Sequence, residues 1–117
     1  MVGWGGVQNL QAWCASVVEA HGAPDLVVNN AGVTHPRVPG WELAAEQVDA
    51  LLATNVAAVF SVVRGFVRPM IDRGGPAAIV NISSGKGRSA HPHLAAYCAS
   101  KWAVEALSKS LVLLTWA

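Results

Sequence analysis

An α/β fold built on a parallel sheet is predicted for this chain, and three observations predict it. Two short apolar runs, Leu26-Val27-Val28 and Ala78-Ile79-Val80-Asn81-Ile82, have the length and β-branched content of strands. Between them lies a long stretch, 44–72, whose apolar residues recur at helical spacing. Strand, long helix, strand is the grammar of a parallel βαβ unit with a right-handed crossover. Both runs are continuous rather than alternating, so both strands are expected to be buried on two faces.

The elements follow in chain order. Residues 1–6, MVGWGG, carry glycines but neither a preceding strand nor the spacing of a dinucleotide-binding turn, so they read as a flexible or unrelated lead-in to a domain over 7–117. Val7, Leu10, Cys14, Val17 and Val18 mark one face of a helix that Gly22 ends. After the first strand, Val33 to Trp41 holds two prolines and a glycine and reads as a loop. The helix over 44–72 presents Val48, Leu51, Leu52, Asn55, Val59, Val62, Val63, Phe66, Val67 and Met70. Pro69 should disturb its last turn, and Gly74-Gly75-Pro76 should end it. Beyond the second strand, Lys86 to His93 is a basic loop, and a last helix over 94–114 carries Tyr97, Lys101, Val104, Leu107, Leu111 and Leu114.

Four places in this layout can carry chemistry. Asn29-Asn30-Ala31-Gly32 leaves the C-terminal end of the first strand, where open α/β sheets bind ligands, and its small residues let a ligand approach. Asn55 is a polar residue inside an apolar stripe, either a satisfied buried amide or a functional one, and Asn in a helix interior often bends it. Ser83 and Ser84 leave the second strand. Tyr97 and Lys101 are one turn apart on one helix face, and a phenol beside a fixed cation ionises more easily. Taken alone, that pair is also compatible with a half-buried tyrosine and a surface lysine.

Composition narrows the function classes. The chain has 117 residues, 53% of them hydrophobic and 13% charged, which fits one core-seeking domain. A formal charge of +1 with scattered basic residues argues against a nucleic-acid partner. Lacking a charge-free run of eighteen apolar residues, the chain is not expected to enter a membrane. Cys14 and Cys98 show no CxxC spacing and read as buried reduced thiols, which suits a cytoplasmic setting. His91 and His93 have no further ligands nearby, so no metal site is expected.

In these same residues the chain resembles the short-chain dehydrogenase/reductase family. Asn29-Asn30-Ala31-Gly32 is similar to its NNAG element after the fourth strand, and Asn55 falls where the family has a catalytic asparagine. Val80-Asn81-Ile82-Ser83-Ser84 resembles the fifth strand with its serine, and Tyr97-Cys98-Ala99-Ser100-Lys101 matches YxxxK, thirteen residues after Ser84. Ser84 is preferred to Ser83 on that spacing. Within the family, GAPDLVVNNAG and NISSGKGRSAHPHLAAYCASKWAVEALSKS look most similar to reductases of the NADPH-dependent pterin-aldehyde type.

The resemblance implies part of a doubly wound parallel-sheet (Rossmann) fold, the portion around the fourth and fifth strands. It implies hydride transfer between NADP, with NAD not excluded, and a small carbonyl/alcohol pair. Tyr97 would give its proton to the forming alkoxide, and Lys101 would ease ionisation of Tyr97 and hold the nicotinamide ribose. Ser84 would fix the carbonyl oxygen, and Asn55 would bend its helix and anchor a water. Asn29, Asn30, Ala31 and Gly32 would lie against the adenosine side. The family's TGxxxGxG turn and its last strands have no counterpart here, so two strands with three helices are expected to leave apolar faces and open edges. The chain alone is then expected to be marginal or aggregation-prone and to bind dinucleotide poorly or not at all. The alternative is a catalytically inactive fragment that at most self-associates through helices 44–72 and 94–114.

Overall fold

The structure, a computed structural model, describes residues 6–116, with side chains placed from Asn9 to Val112. Residues 1–5 of the expected lead-in, and the side chains of Val7 and Leu114, lie outside the described residues. The chain runs α1 (Gly6–His21), β1 (Leu26–Asn29), α2 (Ala45–Leu52), α3 (Ala58–Arg73), β2 (Ala78–Asn81) and α4 (Ala95–Trp116). The two strands pair in parallel, with Leu26 opposite Ala78 and Asn29 opposite Asn81, as the βαβ pattern predicts. Gly22 ends α1 with φ 81°, and its N–H reaches the Val18 carbonyl at 2.8 Å.

Alternation along the strands sorts the sheet into two unequal faces. Val27 and its partner Ile79 face the helices, where Val27 joins Cys14 of α1 and Phe66 and Met70 of α3 in the central core. Leu10, Cys14, Val59, Val63, Phe66 and Met70 are all buried, as the helical spacing predicts. On the other face Leu26, Val28, Val80 and Ile82 are exposed, Leu26 to 58% and Val28 to 51%. The strands are thus buried on one face and open on the other, the exposed apolar face expected of two strands with three helices: α1, α3 and α4 pack on the Val27/Ile79 side. Continuous apolar runs record a second covering layer that the described residues do not supply.

Helices α1 and α3 meet at a position that only glycine permits. A Cβ on Gly65 would lie on the Cβ and Sγ of Cys14. Arg73, at the end of α3, then ties the crossover to both strand entries. Its guanidinium donates to the carbonyls of Ala23 at 2.8 Å and of Pro24 and Pro76 at 3.1 Å, and to the Asp25 carboxylate at 2.9 Å.

The long helix expected over 44–72 is present, but it is not one regular α-helix. Residues Ala53–Ala57 form a π turn between α2 and α3, centred on Asn55, where the Ala58 N–H reaches back to the Ala53 carbonyl. By length and composition alone the 29-residue run Ala45–Arg73 could cross a membrane. In this fold it buries Leu51, Asn55, Val59, Val63, Phe66 and Met70. The last turn, where Pro69 was expected to cause a disturbance, stays helical to Arg73, and α3 ends at Gly74 as expected. Pro69 removes only one in-helix donor, and core contacts of Phe66 and Met70 on either side hold the last turn in place.

Candidate active site

The site lies beyond the C-terminal ends of the two strands, where α4 starts against the π turn. Lys101 is 6% exposed, not the surface lysine that its helix position also allowed. Its ammonium donates to the Ile82 carbonyl at 3.1 Å and stands 5.8 Å from the centroid of the Tyr97 ring. That geometry is a cation–π contact. Burying a cation is unfavourable unless it is paired. Among the described residues no carboxylate pairs with it, and one carbonyl accounts for one of its three donors.

Gly32 lies directly over this cation. A Cβ there would meet Nζ of Lys101 at 3.4 Å and Oδ1 of Asn55 at 3.6 Å. The bare backbone of Ala31-Gly32 and the two uncommitted ammonium donors thus face the same space, which suits the hydroxyls of a ribose. Asn30, Ala31 and Gly32 are exposed, so this strip is open to a ligand. Asn29 behaves differently: its side-chain amide donates across the sheet to Asn81 at 2.8 Å, and Asn81 in turn donates to Ser108 of α4 at 3.0 Å. Of the four cofactor candidates in this strip, Asn29 is thus tied into the sheet.

Asn55 is 1% exposed and fully satisfied. Its Oδ1 accepts from the Val33 N–H at 2.8 Å, and its Nδ2 donates to the Val33 carbonyl at 2.8 Å and to Ser100 Oγ at 3.1 Å. The amide therefore has one orientation consistent with both Val33 bonds. With every side-chain hydrogen used, Asn55 clamps the loop after β1 onto α4. The amide is thus hydrogen-bonded, in a place that shapes the site.

Two residues that sequence reasoning passed over complete the arrangement. Ser100 Oγ donates to the Tyr97 carbonyl at 2.7 Å. His35, buried in the loop after β1, accepts the Tyr97 backbone N–H on Nε2 at 3.1 Å, and its Nδ1 lies 2.8 Å from the Pro36 carbonyl. Accepting on Nε2 places the ring proton on Nδ1, where it meets that carbonyl. Spacing could not reveal either residue, because both bind backbone. The one sequence hint was that Ser100 lies inside YxxxK.

Ser84 stands in extended backbone at the end of β2 and caps the short turn Gly85–Gly87, accepting from the Lys86 N–H at 3.1 Å. That bond uses an oxygen lone pair and leaves the hydroxyl proton to donate. Ser83 is different: its Oγ is buried without a partner beneath Gly87, where an added Cβ would approach to 2.5 Å. The structure thus commits Ser83 to packing. Among the described residues no hydrogen bond joins Ser84 to Tyr97, and the two belong to separate elements. Among the described residues no group of three or more metal-ligating side chains occurs. His91 is held below the ordinary imidazole range by desolvation and by the positive charges of Arg37 and Lys86, with His93 adding to them.

Comparison with known proteins bears on this arrangement as a whole. Residues 6–115 match the family model described as short chain dehydrogenase. An NADPH-dependent pterin aldehyde reductase of Arabidopsis thaliana is 46% identical over 96 residues, which is 82% of this chain and 39% of the relative. The gluconate 5-dehydrogenase of Burkholderia cenocepacia, solved with NADP and tartrate, superposes with a TM-score of 0.83 at 35% identity, over 89% of this chain and 40% of that one. A Burkholderia phymatum protein solved with NAD superposes at 0.84 and 34% identity, over 90% of this chain and 37% of that one. The chain spans about two fifths of the length of these proteins.

Proposed function

The chain belongs to the short-chain dehydrogenase family, with a portion of that family's Rossmann sheet, and on this footing we propose that it carries the catalytic residues of an NADP(H)-dependent oxidoreductase acting on a small carbonyl compound or its alcohol. A pterin aldehyde is the substrate chemistry that the Arabidopsis relative's name supports. One observation carries the reading: Lys101, a buried ammonium without a carboxylate, is held beside the Tyr97 ring and beneath bare Gly32.

The cofactor, when bound, supplies or accepts the hydride. Lys101 would donate to its ribose with the two N–H groups that Ile82 leaves unused, and Asn30, Ala31 and Gly32 would present backbone to it. The Tyr97 hydroxyl would pass a proton to the oxygen that becomes an alcohol, with the Lys101 ammonium 5.8 Å from the centre of its ring. Ser84 would hold that oxygen with its free hydroxyl proton. Asn55 would position the site through its side-chain hydrogens, which go to Val33 and Ser100, and would anchor a water by accepting from it on the second lone pair of Oδ1. NADP is preferred to NAD because the NADPH-dependent relative matches over 82% of the chain.

Calorimetric titration of the 117-residue chain with NADPH, with NADH as comparator, tests this. Weak, saturable NADPH binding that Lys101→Met removes is the expected result, together with carbonyl-dependent NADPH oxidation that Tyr97→Phe abolishes. A folded chain that binds neither nucleotide overturns it.

That outcome would leave a second reading, a non-catalytic segment that associates with its own kind. The exposed Leu52, Phe60 and Ile71 on the α2–α3 run and Trp102 on α4 favour such contacts. Concentration-dependent sedimentation that Phe60→Glu or Trp102→Glu suppresses is its expected sign.

A further inference from the structure

We propose that His35 is a positioning residue for Tyr97, and that it works as the N-terminal cap of α4. Its catalytic meaning rests on the reading of Tyr97 as proton donor above; the contact itself does not.

The start of α4 explains why such a residue is needed. Leu94 occupies the capping position, since its carbonyl accepts the first helical bond, from the Cys98 N–H at 2.8 Å. A leucine side chain cannot accept from the orphan N–H groups of the first turn, which elsewhere a Ser, Asp or Asn would satisfy. Tyr97 is the third residue of the helix, so its N–H is one of those orphans. His35 reaches it from 62 residues away, and Nε2 accepts at 3.1 Å. A neutral imidazole acceptor also suits the positive end of the helix dipole, which an imidazolium would oppose.

The ring is held in place, because five further bonds close a circuit through it. Nδ1 is held by the Pro36 carbonyl, and Asn55 grips both the N–H and the carbonyl of Val33 two residues earlier. Asn55 also donates to Ser100, which donates to the Tyr97 carbonyl. Both peptide groups of Tyr97 are thereby tied to one clamped loop, the N–H through His35 and the carbonyl through Ser100 and Asn55. The Tyr97 ring then inherits its place from the loop after β1, not from α4 alone.

Tyr97 is the one tyrosine of the chain, so ring-labelled tyrosine reports on it alone. Long-range nitrogen NMR of the wild-type chain at alkaline pH should show His35 protonated on Nδ1, with coupling from Nε2 across to the Tyr97 nitrogen. Protonation on Nε2, or an averaged tautomer pattern, overturns the proposal. His35→Leu should speed exchange of the Tyr97 amide by roughly fivefold or more and shift the ring signals. His35→Gln, whose Oε1 can accept at the same place, should restore both. Equal acceleration at Val104 in both variants would mean a general loosening of α4 and would also overturn it. If the leucine variant does not fold, the wild-type tautomer and the glutamine variant still decide. None of these readouts needs turnover, so they stand apart from the fate of the oxidoreductase reading.

Discussion

Asn55 and Ser100, 45 residues apart, share a buried hydrogen bond of 3.1 Å that joins the π turn of the long helix to the first turns of α4. Through it the amide that clamps the loop after β1 is tied to the hydroxyl that holds the Tyr97 carbonyl. The π turn at Ala53–Ala57 brings Asn55 into that position, and π turns of this kind concentrate at functional sites.

Substituting Asn55 should therefore be severe. Asn55→Leu removes the bond to buried Ser100 and both bonds that clamp the exposed Val33, and a buried group left unsatisfied costs on the order of 1–3 kcal/mol. Asn55→Asp should rescue little, because a carboxylate can accept from the Val33 N–H but has no hydrogen for its carbonyl or for Ser100. Urea unfolding of the three proteins checks this: a midpoint for the aspartate variant equal to wild type would show that the donor half of the amide carries nothing.

Lys101→Met should separate stability from function. The substitution removes a buried, unpaired ammonium and keeps the aliphatic stem, while the Ile82 carbonyl loses one donor. These effects oppose each other, so thermal stability should stay within about 1 kcal/mol of wild type or rise. NADPH binding should be lost. A variant destabilised by several kcal/mol would instead identify Lys101 as a structural cation.

Gly65→Ala should overpack the α1–α3 contact. The new methyl would fall on Cys14, and strain of this kind typically costs about 1–3 kcal/mol. Adding Cys14→Ala relieves the Sγ contact but not the Cβ contact, so it should recover only part of the loss. A double-mutant cycle measures the coupling. Additive effects would place the strain elsewhere.

How much of this was legible beforehand depended on what kind of contact each residue makes. Periodicity located the helices and the buried positions Leu10, Cys14, Leu51, Val63, Phe66 and Met70, because side-chain burial repeats with the backbone. Tyr97, Lys101, Asn55 and Ser84 were visible as residue types at meaningful spacings. The actual partners of Asn55 were not, since it binds the Val33 backbone, and any residue but proline at 33 offers the same groups. His35 was hidden for the same reason: it serves a backbone N–H, and a lone histidine in a proline-containing loop has no pattern. Exposed apolar sheet surface was expected of two strands with three helices, but not that Leu26 and Val28 would form it, because an apolar run records what a strand is made to contact, not which face the helices cover.

Cys14 provides a pH test of the core. It is fully buried, and burial pushes its thiol above the ordinary value of 9.0, opposed by a smaller effect of a backbone hydrogen bond. The folded state therefore keeps its proton at pH values where the unfolded state has begun to release it. Stability from this group is fully present below 9.0 and is lost as pH rises from there through the folded-state value. Other groups titrate in the same window, so the comparison is with Cys14→Ala. Wild type should lose thermal stability more steeply than the variant above pH 9.0 and run parallel to it below. The thiol should also resist alkylation until the chain opens, since the thiolate is the reactive form. Parallel profiles on both sides of that pH, with Cys14 alkylated as fast as a free thiol, would place it outside the core that Val27, Phe66 and Met70 build.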